Sequence, residues 1–160
     1  MKRTLPCLFI VLMVCILYSS YAYAQLLERK TVSLELAKKI AAAAEAEAVK
    51  NNWTVVISVL DEGGNLVYLE RMDNTQNGSI EVSIQKAHTA IFFKRPSKAF
   101  EDMVNSGRNS ILGLKNVMPI EGGIPLVVNS QVIGAIGISG AKSNEDGIVA
   151  KAGADVLSGQ

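Results

Sequence analysis

The alternation of apolar and polar residues divides this chain into a short series of elements. In "LELAKKIAAAAEAEAVKN", Leu34, Ala37, Ala41, Ala44 and Ala48 share one side of a 3.6-residue period, with Leu36, Ile40 and Ala43 beside them. That predicts a helix with a wide apolar face, capped by Thr31 or Ser33, and its many alanines imply close approach to a sheet or another helix. "WTVVISVLD" is β-branched and nearly continuous, so it reads as a buried strand, and "EGGN" turns it into "LVYLERMD" as a hairpin. Ile80, Ile84, Ala87, His88 and Ile91 then form one helical stripe. Pro96 ends that helix, and Ser97 is placed to cap a shorter one through Met103. "PIEGGIP" is a glycine-rich turn, and "IPLVVNSQVIGAIGISG" reads as two strands joined at Asn129 and Ser130. Asn144, Glu145 and Asp146 open a last helix, "GIVAKAGADVL". Strands paired through short turns, with helices between the pairs, predict an antiparallel sheet with helices packed on it, an α+β domain.

The segment ahead of these elements has another character. Lys2 and Arg3 precede "LPCLFIVLMVCILY", then Ser19, Ser20 and "YAYAQ", which places small residues at Ala22 and Ala24. A basic start, an apolar run and small residues predict a signal peptide over 1–24, cleaved after Ala24, and an exported domain over 25–160. The run is short for a membrane span of roughly 20 residues. Lipoprotein processing at Cys15 is the rival reading, disfavoured by Val14. Cleavage would remove both cysteines, Cys7 and Cys15, so the remaining chain would hold no disulfide and no thiolate ligand. It would also turn 16 basic residues into 14 against 15 acidic ones, a balance without the basic cluster that nucleic acid requires.

Few residues carry chemistry. His88 is the one histidine. In an apolar stripe it reads either as a core residue bonded to a backbone carbonyl or as a metal ligand. The turn Glu121-Gly122-Gly123 is either a reversal that glycine permits or a place where backbone approaches a ligand and offers N–H groups to an anion. "GAIGISG" spaces its glycines as G-x-x-G-x-x-G, so the dinucleotide fingerprint fails and close packing explains them. "SIQK" matches Ser-x-x-Lys without the companion motifs. Asp61 and Glu62 could form an acid–base pair, although beside two glycines they fit a turn better.

Taken in order, "VLDEGGNLV", "RMDN", "KAHTAIFF", "PS", "EGGIPL" and "VIGAIGISG" resemble the GlcG/HbpS family, which includes the C-terminal domain of PduO-type proteins. The likeness runs from about Leu34 to Leu157. It implies a profilin-like fold with a five-stranded antiparallel sheet flanked by helices, homo-oligomeric assembly, and for several members haem binding, with a sensor-protein partner for the exported type. It also places a ligand pocket at the Glu121–Gly123 turn. The chain departs from the family pattern after "RMDN", where it has Asn74, Thr75 and Gln76, and at His88, a position often aromatic.

With haem in view, His88 becomes a candidate iron ligand, with Tyr68, Thr89 and Glu121 as alternatives. Phe92, Phe93, Ile84 and Ile91 could line the macrocycle, and Lys86, Lys94 and Arg95 could meet its propionates. The candidate set is therefore Lys86, His88, Thr89, Phe92, Arg95, Glu121, Gly122 and Gly123. The expected function is an exported oligomer that binds haem, a related tetrapyrrole or a small anionic ligand. The alternative is an enzyme that degrades haem or acts on a small organic acid, and a third reading is an assembly protein without a ligand. The helix at 34–48 and the strand at 132–140 are the candidate subunit contacts.

Overall fold

The computed structural model describes residues 26–158. The expected signal peptide, its cleavage site and both cysteines lie outside the described residues. Helix α1 spans Leu34–Lys50, strands β1 and β2 span Val56–Asp61 and Leu66–Arg71, and helix α2 spans Gly78–Phe93. Helix α3 (Lys98–Asn105) and a 3-10 turn (Asn109–Gly113) lead to β3 (Gly123–Val128), β4 (Gln131–Ser139), α4 (Ser143–Ala154) and a closing 3-10 turn at Asp155–Leu157. Among the described residues no helix is long and apolar enough to cross a membrane.

The sheet is antiparallel with strand order β2-β1-β4-β3, so the two hairpins join through their inner strands. The α+β reading holds, but among the described residues the sheet has four strands where the family likeness implied five. The physical reason lies in the connectors. Between α3 and β3 the backbone turns left-handed at Gly107 (φ 92°), Asn116 (φ 59°) and Gly122 (φ 126°), which breaks any extended run. Among the described residues ahead of α1, one backbone rung reaches the sheet, Val32 N–H to Ile133 O at 3.1 Å.

Three layers result. Helices α1 and α4 cover one face of the sheet and α2 covers the other. Along β1 the alternation sorts the faces: Ile57 and Val59, with Val55 just before the strand, join the core with Ile40, Ala44, Ile136 and Val149, while Leu60 packs with Ala87, Ala90 and Ile91 on α2. The alanines of α1 do allow close packing, for Ala37, Ala41, Ala44 and Ala48 are fully buried. Ser33 caps this helix, its Oγ accepting Leu36 N–H at 3.2 Å.

The buried face of α2 is rotated from the stripe the isoleucines suggest. It carries Ser79, Ser83, Lys86, Ala87, Ala90 and Ile91, and Ile80 and Ile84 are half-buried. Small residues win this face because the sheet beneath is glycine-lined: a β-carbon on Gly137 would overlap Ser83 O and lie 2.7 Å from Ala87 N. The hydroxyl of Ser83 meets Ser58 Oγ at 2.6 Å inside this tight seam. With Ser83 so occupied, "SIQK" holds no serine–lysine nucleophile.

Candidate functional site

The candidate residues separate into groups on opposite sides of α2. Lys86 and His88 are two residues apart, a turn of about 200° around a helix, so they cannot face one ligand.

On the inner side, Lys86 is 1% exposed and its Nζ lies 2.7 Å from Asp146 Oδ2, itself 2% exposed. Asp146 Oδ1 accepts Ala141 N–H at 3.1 Å. Burial pushes the Asp146 carboxyl up, and Lys86 opposes that rise. The expected role of Lys86 toward a propionate is therefore replaced by a buried ion pair. Asp146 reads from sequence only as a helix opener. The available signal was a lysine on a helix face otherwise made of Ser and Ala, which needs a buried anion wherever that face is covered.

Lys86 stands directly behind the Glu121–Gly123 turn, where a β-carbon on Gly122 would come within 3.0 Å of Nζ. Gly122 takes φ 126°, a region glycine alone enters freely, and its carbonyl accepts Ile138 N–H at 2.9 Å. Ser97 does not cap α3. Its Oγ donates to Ile120 O at 2.6 Å and accepts Gly123 N–H at 2.9 Å, fastening the turn from both sides. Glu121 N–H donates to Glu101 Oε2 at 2.6 Å. With the Glu121 and Gly123 amides engaged in this way, the turn does not present the N–H nest expected for an anion.

The turn forms one wall of a cavity of about 220 Å³, with Pro96, Lys98, Ile124, Gly147 and Lys151 around it. Burial pushes the Glu121 carboxyl up; Lys98 opposes this, and Glu101 and Asp102 reinforce it. Gly147 sits inside α4, where glycine costs about 1 kcal/mol relative to alanine. Its missing β-carbon leaves the space that Glu121 Oε1 fills.

On the outer side, His88 Nε2 lies 2.9 Å from Gly64 O, and its ring stacks on Phe92 with centroids 5.2 Å apart and planes 5° from parallel. A carbonyl only accepts, so Nε2 carries the proton and, in the neutral imidazole, Nδ1 keeps the free lone pair. His88 is half-buried and lines a cavity of about 370 Å³ with Glu81, Gln85, Asn116, Val117 and Met118. Thr89 is fully buried. Its Oγ1 donates to Gln85 O and receives Met118 N–H at 2.7 Å, so it braces the cavity wall and has no free face for iron. Phe92 is 45% exposed at the edge of this region. Arg95 lies elsewhere, its guanidinium 5.6 Å from the Phe100 ring centroid. Tyr68 is on β2, where its hydroxyl donates to Glu70 at 2.8 Å, and that bond raises its pKa. Asp61 closes the first hairpin, its Oδ1 accepting Gly63 N–H and Asn65 N–H, so Asp61 serves the turn rather than an acid–base pair, while Glu62 beside it keeps a buried Oε2 that has no hydrogen-bond partner among the described residues.

These residues fit part of a haem site. An imidazole whose N–H is fixed by a backbone carbonyl is oriented for iron ligation through its other nitrogen. Phe92, Val117 and Met118 add apolar surface. Lys86 and Arg95 are engaged elsewhere, and Lys115 is an exposed cation next to Asn116 in the chain.

A model of the family described as "Haem degrading protein HbpS-like" matches residues 32–155. Protein GlcG of Escherichia coli K12 is 44% identical over 108 residues, covering 68% of this chain and 81% of that protein. The crystal structure of Klebsiella pneumoniae protein ORFY aligns with TM-score 0.78 at 32% identity, over 85% of this chain and 97% of that one. A structure titled as a PduOC:heme complex aligns with TM-score 0.71 at 26% identity, over 79% and 95% of the two chains. By the family match over most of its length, and by its likeness to GlcG, this chain belongs to the GlcG/HbpS family.

Proposed function

We propose that this protein binds haem or a closely related flat, anionic tetrapyrrole, with His88 as the iron ligand. The observation that carries this reading is the fixed His88 ring: Nε2 is committed to Gly64 O, and the ring lines an open cavity. Bound there, haem would supply its usual redox and ligand-binding chemistry. The residues of this chain would orient the imidazole and cover part of one macrocycle face through Phe92 and Met118. A second copy of the chain would cover the other face, which accords with an oligomeric binder. Storage, protection or presentation of haem to a sensor protein outside the cytoplasm is the role that fits an exported chain. The crystal structure of one relative as a haem complex, and the family's description as haem-degrading, support the choice of ligand.

The test is a haemin titration followed by absorbance, on wild type and His88→Ala. A saturable Soret shift that is lost in the variant is expected. A shift that survives the substitution removes His88 as ligand, and no saturable shift in the wild type removes haem. The same preparation, recovered from an export-competent host, is expected to begin at Gln25 and to sediment above monomer mass. A monomer, or a chain that keeps residues 1–24, would overturn those two parts.

The enzyme alternative is supported by the family's description as haem-degrading and by a half-buried carboxyl at Glu121 with raised proton affinity in the glycine-lined cavity. It is weaker because no nucleophile accompanies it.

A further inference from the structure

The cavity beside the Glu121–Gly123 turn lies on the other side of α2 from His88, and its charges are arranged unlike those of an anion site. Three ammonium groups stand near it and each is matched. Lys98 Nζ is 2.7 Å from Asp102, Lys151 Nζ is 2.6 Å from Asp155, and Lys86 Nζ is 2.7 Å from Asp146. Glu121 is the unmatched group. Among the described residues its carboxylate takes no hydrogen bond and makes no ion-pair contact; Lys98 and Lys86 attract it from farther off, and Glu101 and Asp102 add negative charge beside it.

Glu121 is nevertheless held in place deliberately. Its backbone N–H is tied to Glu101, the following residues are fastened by Ser97, and α4 carries a glycine at 147 where a β-carbon would expel the carboxylate. A glycine inside a helix is a local cost, and here it makes the seat for one oxygen pair. The rest of the wall is Pro96, Ile124 and glycine backbone. A carboxylate without a contact partner, set in a mainly apolar recess and flanked by lysines paired to other carboxylates, is complementary to a ligand with a single positive head and a short hydrocarbon body.

We infer that this cavity is a second ligand site, distinct from the His88 cavity, for a small organic cation whose ammonium rests on Glu121 and whose apolar stem lies along Pro96 and Ile124. The reading stands independently of haem binding. Its size, about 220 Å³, limits the ligand to on the order of ten heavy atoms.

The test uses three probes of equal length, n-butylammonium, n-butanol and butyrate, added to the ¹⁵N-labelled protein. Butylammonium is expected to shift the amide signals of Gly122, Gly123 and Gly147 saturably, with butanol and butyrate at least tenfold weaker. Glu121→Gln is expected to lose at least tenfold in butylammonium affinity while signals remote from the cavity stay in place. Glu121→Asp keeps the charge but withdraws it, and is expected to fall between the two. His88→Ala is expected to bind butylammonium as the wild type does, which separates this site from the haem reading. Equal binding of butanol or butyrate, an undiminished affinity in Glu121→Gln, or the absence of any saturable shift would each overturn the inference.

Discussion

Lys86→Met is expected to destabilise the fold by about 3–5 kcal/mol, because it strands a buried carboxylate rather than because it removes a favourable pair. Two charges 2.7 Å apart and almost wholly buried offset each other's desolvation. With the ammonium gone, Asp146 keeps only backbone N–H donors, at Ala141 and Gly140, and burial drives it toward the neutral form. The loss is large against the roughly 5–15 kcal/mol that holds a domain together. Urea denaturation of wild type and variant measures it, and an unchanged midpoint would refute the account.

The pH dependence of that variant has a definite sign. The folded Asp146 binds its proton more tightly than the ordinary value of 3.8 for the unfolded chain, and removing Lys86 takes away the opposing charge. Where the folded state holds more protons than the unfolded one, stability falls as pH rises. The variant therefore recovers stability as the pH drops through the raised folded value, with the gain complete below 3.8. The double variant Lys86→Met with Asp146→Leu replaces both charges by apolar groups of similar size. It is expected to return to within about 1–2 kcal/mol of wild type at neutral pH.

Gly137→Val is the second large effect, at about 3 kcal/mol or more. Strand β4 and helix α2 meet there backbone to backbone. A β-carbon on Gly137 would overlap Ser83 O and reach 2.9 Å from Ala87 Cβ, and no flexible side chain stands between that could yield. The helix must lift, which would part Ser58 from Ser83 and loosen the Ala87 and Ala90 seam. Ile138→Val, the neighbouring residue on the opposite face, is the control, with an expected loss of about 0.5–1.5 kcal/mol. Thermal unfolding compares the two. Equal melting temperatures would show that the seam is not tight.

The hairpins and the main helices were legible because local rules determine them. Asn129 and Ser130 adopt φ 50° and 63°, the double left-handed turn their side chains tolerate, and Ser33 caps α1 as its position suggests. The fifth strand came from the family likeness, and among the described residues the connectors do not supply it. The site was less readable. A period of 3.6 places Lys86 and His88 on different faces, yet the isoleucines drew the core stripe toward His88 when glycines in a distant strand favour the Ser–Ala face. Asp146 lies 60 residues from its partner, beyond the reach of any local pattern. Ser97 shows the same limit at short range, since a serine before a helix can cap it or fasten another loop, and only the fold decides.

The sheet order also governs how the protein is made. Strand β1 needs β4 as its inner neighbour, with Val56 opposite Ser139, about 80 residues later in the chain. At roughly 5–20 residues per second of synthesis, the first hairpin waits on the order of 4–16 s for that partner. During this interval the nascent chain carries an almost wholly apolar β-branched strand with one side unpaired, the form most open to mispairing with a neighbour on the same message. A holdase that shields residues 55–60 until the C-terminal hairpin emerges is therefore expected to raise the yield of native protein.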